Sequence, residues 1–136
     1  MSAAAARSRR ITIGEVMTPA PYTIGSDQKL SVAHRKMKDN ALRHLPVLRA
    51  GKLVGVLSQR DLYFVESMAG VDVDIDVIAD AMTSDVYTTA PDAALCDVAA
   101  VMAEKKYGCA VVVDRDRVVG VFTVTDAVRQ LADGLA

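Results

Sequence analysis

Residues 55–61 read Gly55-Val56-Leu57-Ser58-Gln59-Arg60-Asp61, and residues 120–126 read Gly120-Val121-Phe122-Thr123-Val124-Thr125-Asp126. An apolar run ending in a hydroxyl, with a carboxylate three residues later, marks a strand that enters a capped helix. The two stretches lie 65 positions apart (126 − 61). The same shift aligns residues 13–61 with residues 78–126 without a gap, and 13 of the 49 paired positions are identical. Average composition would give roughly one in fifteen by chance. Met17-Thr18 falls on Met82-Thr83, Tyr22-Thr23 on Tyr87-Thr88, and Asp27 on Asp92. One fixed period with several retained polar positions points to two copies of one supersecondary unit, each too small to bury a full core alone.

Working outward from that stretch, each copy reads as strand, helix, strand, strand, helix. Residues 45–48 and 53–57 flank Arg49-Ala50-Gly51-Lys52, and residues 110–113 and 118–122 flank Asp114-Arg115-Asp116-Arg117. Short apolar runs around a polar turn predict antiparallel hairpins. The runs barely alternate, so both sheet faces are expected to be covered. Upstream, Tyr22-Thr23-Ile24 reads as a short strand. Gly25-Ser26-Asp27 then predicts a helix start, with Leu30, Ala33, Met37 and Ala41 at helical spacing. In copy two Pro91-Asp92 is expected to open the helix carrying Leu95, Val98, Ala99 and Met102. The last helix of each copy should begin near Ser58 and Thr123 and run through Leu62-Tyr63 and Ala127-Val128-Leu131.

The chain of 136 residues is 51% hydrophobic, enough for one compact core built from two halves. A net charge of −1 and a pI near 6.1 argue against a general nucleic-acid binder. No apolar run approaches the roughly 20 residues of a membrane span. In residues 1–10 the arginines follow the small residues, the reverse of a signal peptide, so this stretch reads as a frayed, disordered tail. Cys96 and Cys109 align with Ser31 and His44, which suggests neither zinc nor a disulfide framework and fits a reducing cytoplasm. Asp72, Asp74 and Asp76 invite a calcium reading. The EF-hand pattern wants glycine sixth and glutamate twelfth, places held by Val77 and Thr83, so an acidic solvated linker is the better account. His34 sits among charges and is expected to be solvated.

The hydroxyl–carboxylate pairs have two readings. One is a variant of the helix capping box. The other is a ligand site: free N–H groups at a helix start favour phosphate, and a nearby carboxylate can accept both hydroxyls of a ribose.

The order Met-Thr, a Tyr-Thr strand, an amphipathic helix, a Leu-Pro-Val strand and Gly-x-x-Ser/Thr-x-x-Asp resembles the cystathionine-β-synthase (CBS) domain, twice in register. The resemblance spans residues 13–131 and implies an α/β (α+β type) fold of two βαββα repeats about a pseudo-twofold axis, a tandem pair known as a Bateman module. The implied layout is a tail at 1–10, repeat one at 11–66, a linker at 67–77 and repeat two at 78–136. Family clefts commonly hold AMP, ADP, ATP or S-adenosylmethionine, with no obligatory cofactor. Carried over by position, Asp61 and Asp126 would each hold a ribose, with Ser58 and Thr123 beside ribose or phosphate. Thr23-Ile24 and Thr88-Thr89 would border the base, and Arg43, three residues before Pro46, would face phosphate. His44 is either cleft-lining or an ordinary strand-edge histidine, and Tyr22 and Tyr87 either stack on a base or pack a core. In copy two Arg43, His44 and Pro46 become Gly108, Cys109 and Val111, which removes a cation.

The implied function is a stand-alone regulatory module that senses an adenosine-containing ligand and acts on a protein partner in trans, as a homodimer. The apolar stripes at Leu30–Met37 and Leu95–Met102, with Leu62-Tyr63, are expected to supply the dimer surface. The alternative is a structural or oligomerisation module with one or both clefts empty. An enzyme has little support: no nucleophile lies with a base and an orienting group, and no metal triad is evident.

Overall fold

Two β-hairpins organise the chain, and everything else packs on them. In the computed structural model, which describes residues 11–19 and 22–135, the first hairpin joins β3 (His44–Arg49) to β4 (Lys52–Ser58). The second joins β6 (Cys109–Asp114) to β7 (Arg117–Thr123). Arg49 pairs with Lys52 and Asp114 with Arg117, so each connection is a two-residue turn. Ala50 and Gly51 (φ 52° and 78°) and Arg115 and Asp116 (φ 51° and 64°) all lie in the left-handed region. This is the type I′ geometry whose twist matches that of the strands it joins. The tail expected at residues 1–10 lies outside the described residues.

The expected strand–helix–strand–strand–helix order is present in both copies. In the first it runs β2 (Ile24–Gly25), α2 (Leu30–Asn40), β3, β4 and α3 (Gln59–Glu66). In the second it runs β5 (Thr88–Thr89), α4 (Leu95–Lys105), β6, β7 and α5 (Val124–Gln130). Ahead of them lie a short helix α1 (Ile13–Val16) and β1 (Thr18–Pro19). The strands form a sheet of order β2-β3-β4 and another of order β1-β7-β6-β5. β2 and β5 run parallel to their neighbours, and the hairpin pairs are antiparallel.

Two compact units result, and their boundaries differ from those of the sequence repeat. The first comprises residues 22–86, and the second joins residues 11–19 to residues 87–135. Each unit thus incorporates the Met-Thr segment that belongs, by sequence, to the other copy. In the first unit Val56 and Thr83 exchange two backbone hydrogen bonds of 2.9 Å, and Ile78 is buried in the core. In the second, Thr18 and Pro19 pair with Val121 and Gly120, and Ile13 is buried. The glycines make room. A Cβ on Gly55 would stand 2.9 Å from the Thr83 carbonyl oxygen, and one on Gly120 would stand 2.9 Å from that of Thr18. Val-Gly-Val and Met-Thr therefore recur together because one docks on the other.

The long helices start later than the sequence signals suggest. α2 begins at Leu30 after Lys29, and α4 at Leu95 after Ala94, neither with a side-chain cap. Backbone carbonyls of the docked segments take the place of caps. Leu30 N–H donates to Asp76 (3.0 Å), Ser31 N–H to Val73 (2.9 Å), and Leu95 N–H to Ile11 (2.8 Å). These bonds satisfy helix-start donors that Ser26-Asp27 and Pro91-Asp92 were expected to serve. Both helices close on a left-handed residue, Ala41 (φ 53°) and Lys106 (φ 61°), so Ala41 ends the helix rather than extending its stripe.

The stripes expected to form a dimer surface are consumed inside the units. Leu30, Ala33, Met37 and Leu62 are buried with Leu45, Val47, Leu57 and Ile78 in one core, and Leu95, Val98 and Met102 with Ala110, Val112 and Phe122 in the other. The docked segments supply the extra cover that the two thin sheets alone would lack. Large apolar side chains are instead exposed at Tyr63, Phe64 and Met68, and at Val124, Val128 and Leu131. The 67–77 segment is less solvated than an acidic linker should be: Val71 and Val73 pack on the core. Asp76 Oδ2 accepts from Asp72 N–H (2.7 Å) and Asp72 Oδ1 from Asp74 N–H (2.9 Å), so two of its carboxylates shape the turn.

Candidate functional site

In the first unit the turn from β4 into α3 gathers several of the expected site residues. Ser58 ends β4 opposite His44, the first residue of β3. Gln59 N–H donates to the Arg43 carbonyl (2.8 Å), which fixes Arg43 beside the helix start. Ser58 Oγ accepts from Asp61 N–H at 3.0 Å and so caps α3. Asp61 Oδ2 accepts from the Thr83 hydroxyl at 3.1 Å. Asp61 is half-buried, and Thr83 is the one carboxylate partner it has among the described residues.

Three features make this corner chemically distinct. The Asp61 carboxylate keeps free lone pairs, since a carboxylate offers about four acceptor sites. Arg43 is exposed and forms no ion pair among the described residues. His44 feels both charges: burial lowers its pKa most, the Asp61 carboxylate raises it, and the Arg43 guanidinium lowers it further. The imidazole is therefore held neutral near pH 7, able to donate from one nitrogen and accept at the other.

The corresponding corner of the second unit has the same backbone and a different chemistry. Val124 N–H donates to the Gly108 carbonyl (3.1 Å), as Gln59 does to Arg43, and Cys109 stands opposite Thr123. Here the capping box is complete: Asp126 N–H donates to Thr123 Oγ1 (3.1 Å), and Thr123 N–H donates to Asp126 Oδ2 (2.9 Å). Arg129 Nη1 lies 3.4 Å from Asp126 Oδ1, and the Thr18 hydroxyl is 3.4 Å from both carboxylate oxygens. Asp126 is only 5% exposed. Its lone pairs are largely taken, and no cation stands where Arg43 does.

Other expected site residues lie elsewhere. Ile24 is 2% exposed and belongs to the hydrophobic core, and Pro46 is fully buried. Thr23 lines a separate cavity toward the opposite end of β3, where Ile24 pairs with Val47. Thr88 and Thr89 pair with Val111 and Val112 along β6. Tyr87 stacks on Tyr107, with ring centroids 5.3 Å apart, and packs on the second core, whereas Tyr22 is exposed. His34, expected to be solvated, instead pairs with Glu66 and stacks on Tyr63. Thr18 and Thr83 were missed. The signal was available: Met-Thr recurs at the same shift as the carboxylate that each threonine meets.

A repeated βαββα unit with a hydroxyl and a carboxylate at the helix start after its hairpin defines a tandem-repeat α/β module. The chain belongs to the CBS domain family, whose model matches residues 13–66 and 76–133. It is 28% identical over 127 residues to the inosine-5′-monophosphate dehydrogenase of Korarchaeum cryptofilum, an alignment covering 93% of this chain. The chain spans 24% of that enzyme's length. Among solved structures it resembles the CBS domain pair of protein MJ0100 in complex with 5′-methylthioadenosine and S-adenosyl-L-methionine. That likeness has a TM-score of 0.83 at 25% identity, covering 92% of this chain and 98% of the other. It also resembles CBSX2 in complex with AMP, with a TM-score of 0.79 at 26% identity over 92% and 99% of the two chains. Among the described residues no helix is long and apolar enough to cross a membrane.

Proposed function

We propose that this chain is a non-catalytic regulatory module that binds an adenosine-bearing ligand at the Arg43–His44–Ser58–Asp61 corner and signals to a protein partner. The observation that carries the reading is the difference between the two aspartates. Asp61 has open acceptor capacity next to a free guanidinium, while Asp126 is committed to its own helix cap. Asp61 accepts the ribose hydroxyls, Arg43 meets the phosphate of a nucleotide or the carboxylate of S-adenosylmethionine by charge, and neutral His44 supplies a directional hydrogen bond. The ligands held by MJ0100 and CBSX2 support the adenosine class. Thr83 ties ligand to scaffold: its hydroxyl competes with the ribose for Asp61, and its backbone pairs with Val56.

A thermal-shift screen with AMP, ADP, ATP and S-adenosylmethionine tests this reading. A ligand present at 100 times its dissociation constant adds about 2.7 kcal/mol to the folded state, a shift of several degrees. Failure of all four to raise the midpoint at millimolar concentration contradicts it. For the Asp126 corner the structural reading is favoured, because its complete capping box leaves the carboxylate little to offer.

A further inference from the structure

A cavity of about 560 Å³ opens in the first unit at the end of the sheet away from Asp61, between the β2–α2 connection and the β3–β4 turn. Its walls carry Lys36 and Arg49 on one side of the charge balance and Asp27 on the other, with Ser26, Thr23 and Gln28 between them. Three observations set it apart from a merely solvated surface.

First, the charges are held but not spent. Lys36 Nζ donates to the Thr23 carbonyl at 2.7 Å, which places the ammonium at the cavity wall with two of its three N–H donors unused. Arg49 and Asp27 line the same space, yet neither side chain forms an ion pair or hydrogen bond among the described residues. Opposite charges that face one cavity without closing on each other leave room for a molecule carrying both.

Second, the floor is shaped by contacts within the connection. Gln28 Oε1 accepts from Gly25 N–H (2.7 Å), Ser26 N–H donates to the Leu48 carbonyl (2.9 Å), and Asp27 Oδ1 lies 3.0 Å from where a Cβ on Gly25 would stand. The Asp27 carboxylate is thus folded over the glycine, and Ser26 is 9% exposed. Third, the fold does not need the two cations. At the 65-residue shift Lys36 becomes Val101, Arg49 becomes Asp114 and Ser26 becomes Pro91, while Asp27 is kept as Asp92 and the strand, helix and hairpin are the same.

We propose that this cavity is a second ligand site, independent of the adenosine reading, and that it takes a small zwitterion of the α-amino-acid class. The ligand carboxylate sits against Arg49 and Lys36, where a guanidinium offers paired N–H donors. The ligand ammonium sits against Asp27 and can also be accepted by the Ser26 hydroxyl. The volume suits a small metabolite. Dianions such as inorganic phosphate are disfavoured by Asp27.

The test is an amide chemical-shift titration of the full chain with glycine, L-serine and L-glutamine, with acetate and methylammonium as half-ligands. At least one amino acid should give saturable shifts confined to residues 23–28 and 48–51, and the half-ligands should bind at least tenfold more weakly. Arg49→Ala and Asp27→Asn should each weaken that amino acid tenfold or more, and both exposed substitutions should leave the spectrum folded. The same variants should bind AMP as the parent does, which separates failure here from failure of the adenosine reading. Absence of saturable shifts with all three amino acids overturns the proposal, as does amino-acid binding unchanged by Arg49→Ala.

Discussion

Replacing Gly55 by alanine tests whether the Met82-Thr83 segment docks on β4. The new Cβ would meet the Thr83 carbonyl oxygen at 2.9 Å, inside the closest approach that real Cβ atoms make, and would also collide with the Met82 thioether. The thioether can swing away, but the carbonyl cannot, because it accepts from Val56 N–H at 2.9 Å. Relief requires the segment to lift by a few tenths of an ångström, weakening both Val56–Thr83 hydrogen bonds, each worth about 1 kcal/mol net. Overpacking of this kind typically costs about 1–3 kcal/mol, and the lower unfolded-state entropy of alanine returns about 0.4–1 kcal/mol. The expected net loss is about 1–2 kcal/mol, read as a lower urea midpoint with an unchanged slope. Hydrogen exchange at Val56 and Thr83 should quicken before that of the α2 core. Met82→Ala in the same background should restore only part of the loss, since the backbone clash persists. Wild-type stability in Gly55→Ala, with both amides still protected, would refute the docking.

The turn Asp114-Arg115-Asp116-Arg117 places two non-glycine residues in the left-handed region, so Asp116→Gly should raise stability by up to about 1 kcal/mol in urea titrations. Burial dominates the lowered pKa of His44, so the unfolded chain binds the extra proton first as pH falls. Stability should therefore be full above pH ~6.5 and decline from there toward the folded-state pKa, and His44→Gln should flatten that part of the profile. Burial also pushes the Cys109 thiol up to about 11, whereas Cys96 is exposed. At pH 7.5 iodoacetamide should label Cys96 quickly and reach Cys109 only after unfolding, as peptide mass mapping will show.

The hairpins and the last helices were legible because their signals are local. Apolar runs broken by Arg49-Ala50-Gly51-Lys52 can pair in one way, and Ser58 and Thr123 cap the helices that follow them. What could not be read was which copy each Met-Thr segment packs against. A shift of 65 residues aligns Met17 with Met82, but it carries no information about long-range docking. That gap bears on two other discrepancies. Ser26-Asp27 does not start α2 because Asp76 and Val73 carbonyls already serve the first turn, and the Leu30–Met37 stripe is buried because residues such as Ile78 share its core. Of the candidate site, Ser58 and Asp61 were legible from the motif and Arg43 from the family resemblance, while His44 was left open between cleft and strand edge; the four converge at one corner. For Thr83 the recurrence of Met-Thr was legible but its partner was not, since its hydroxyl reaches Asp61 across 22 residues of chain. The different states of Asp61 and Asp126 were also hidden: Arg129 and the full capping box engage Asp126 only in three dimensions.

Calorimetric titration of AMP into the parent chain, Asp61→Ala and Asp126→Ala tests the central claim most directly. Asp61→Ala should weaken the tighter binding event tenfold or more, about 1.4 kcal/mol, because it removes the carboxylate whose open acceptor sites share this corner with Arg43. Asp126→Ala should lower stability through its lost cap and leave that event within about twofold of the parent. Loss of the tighter event in Asp126→Ala, with Asp61→Ala binding as the parent does, would contradict the assignment.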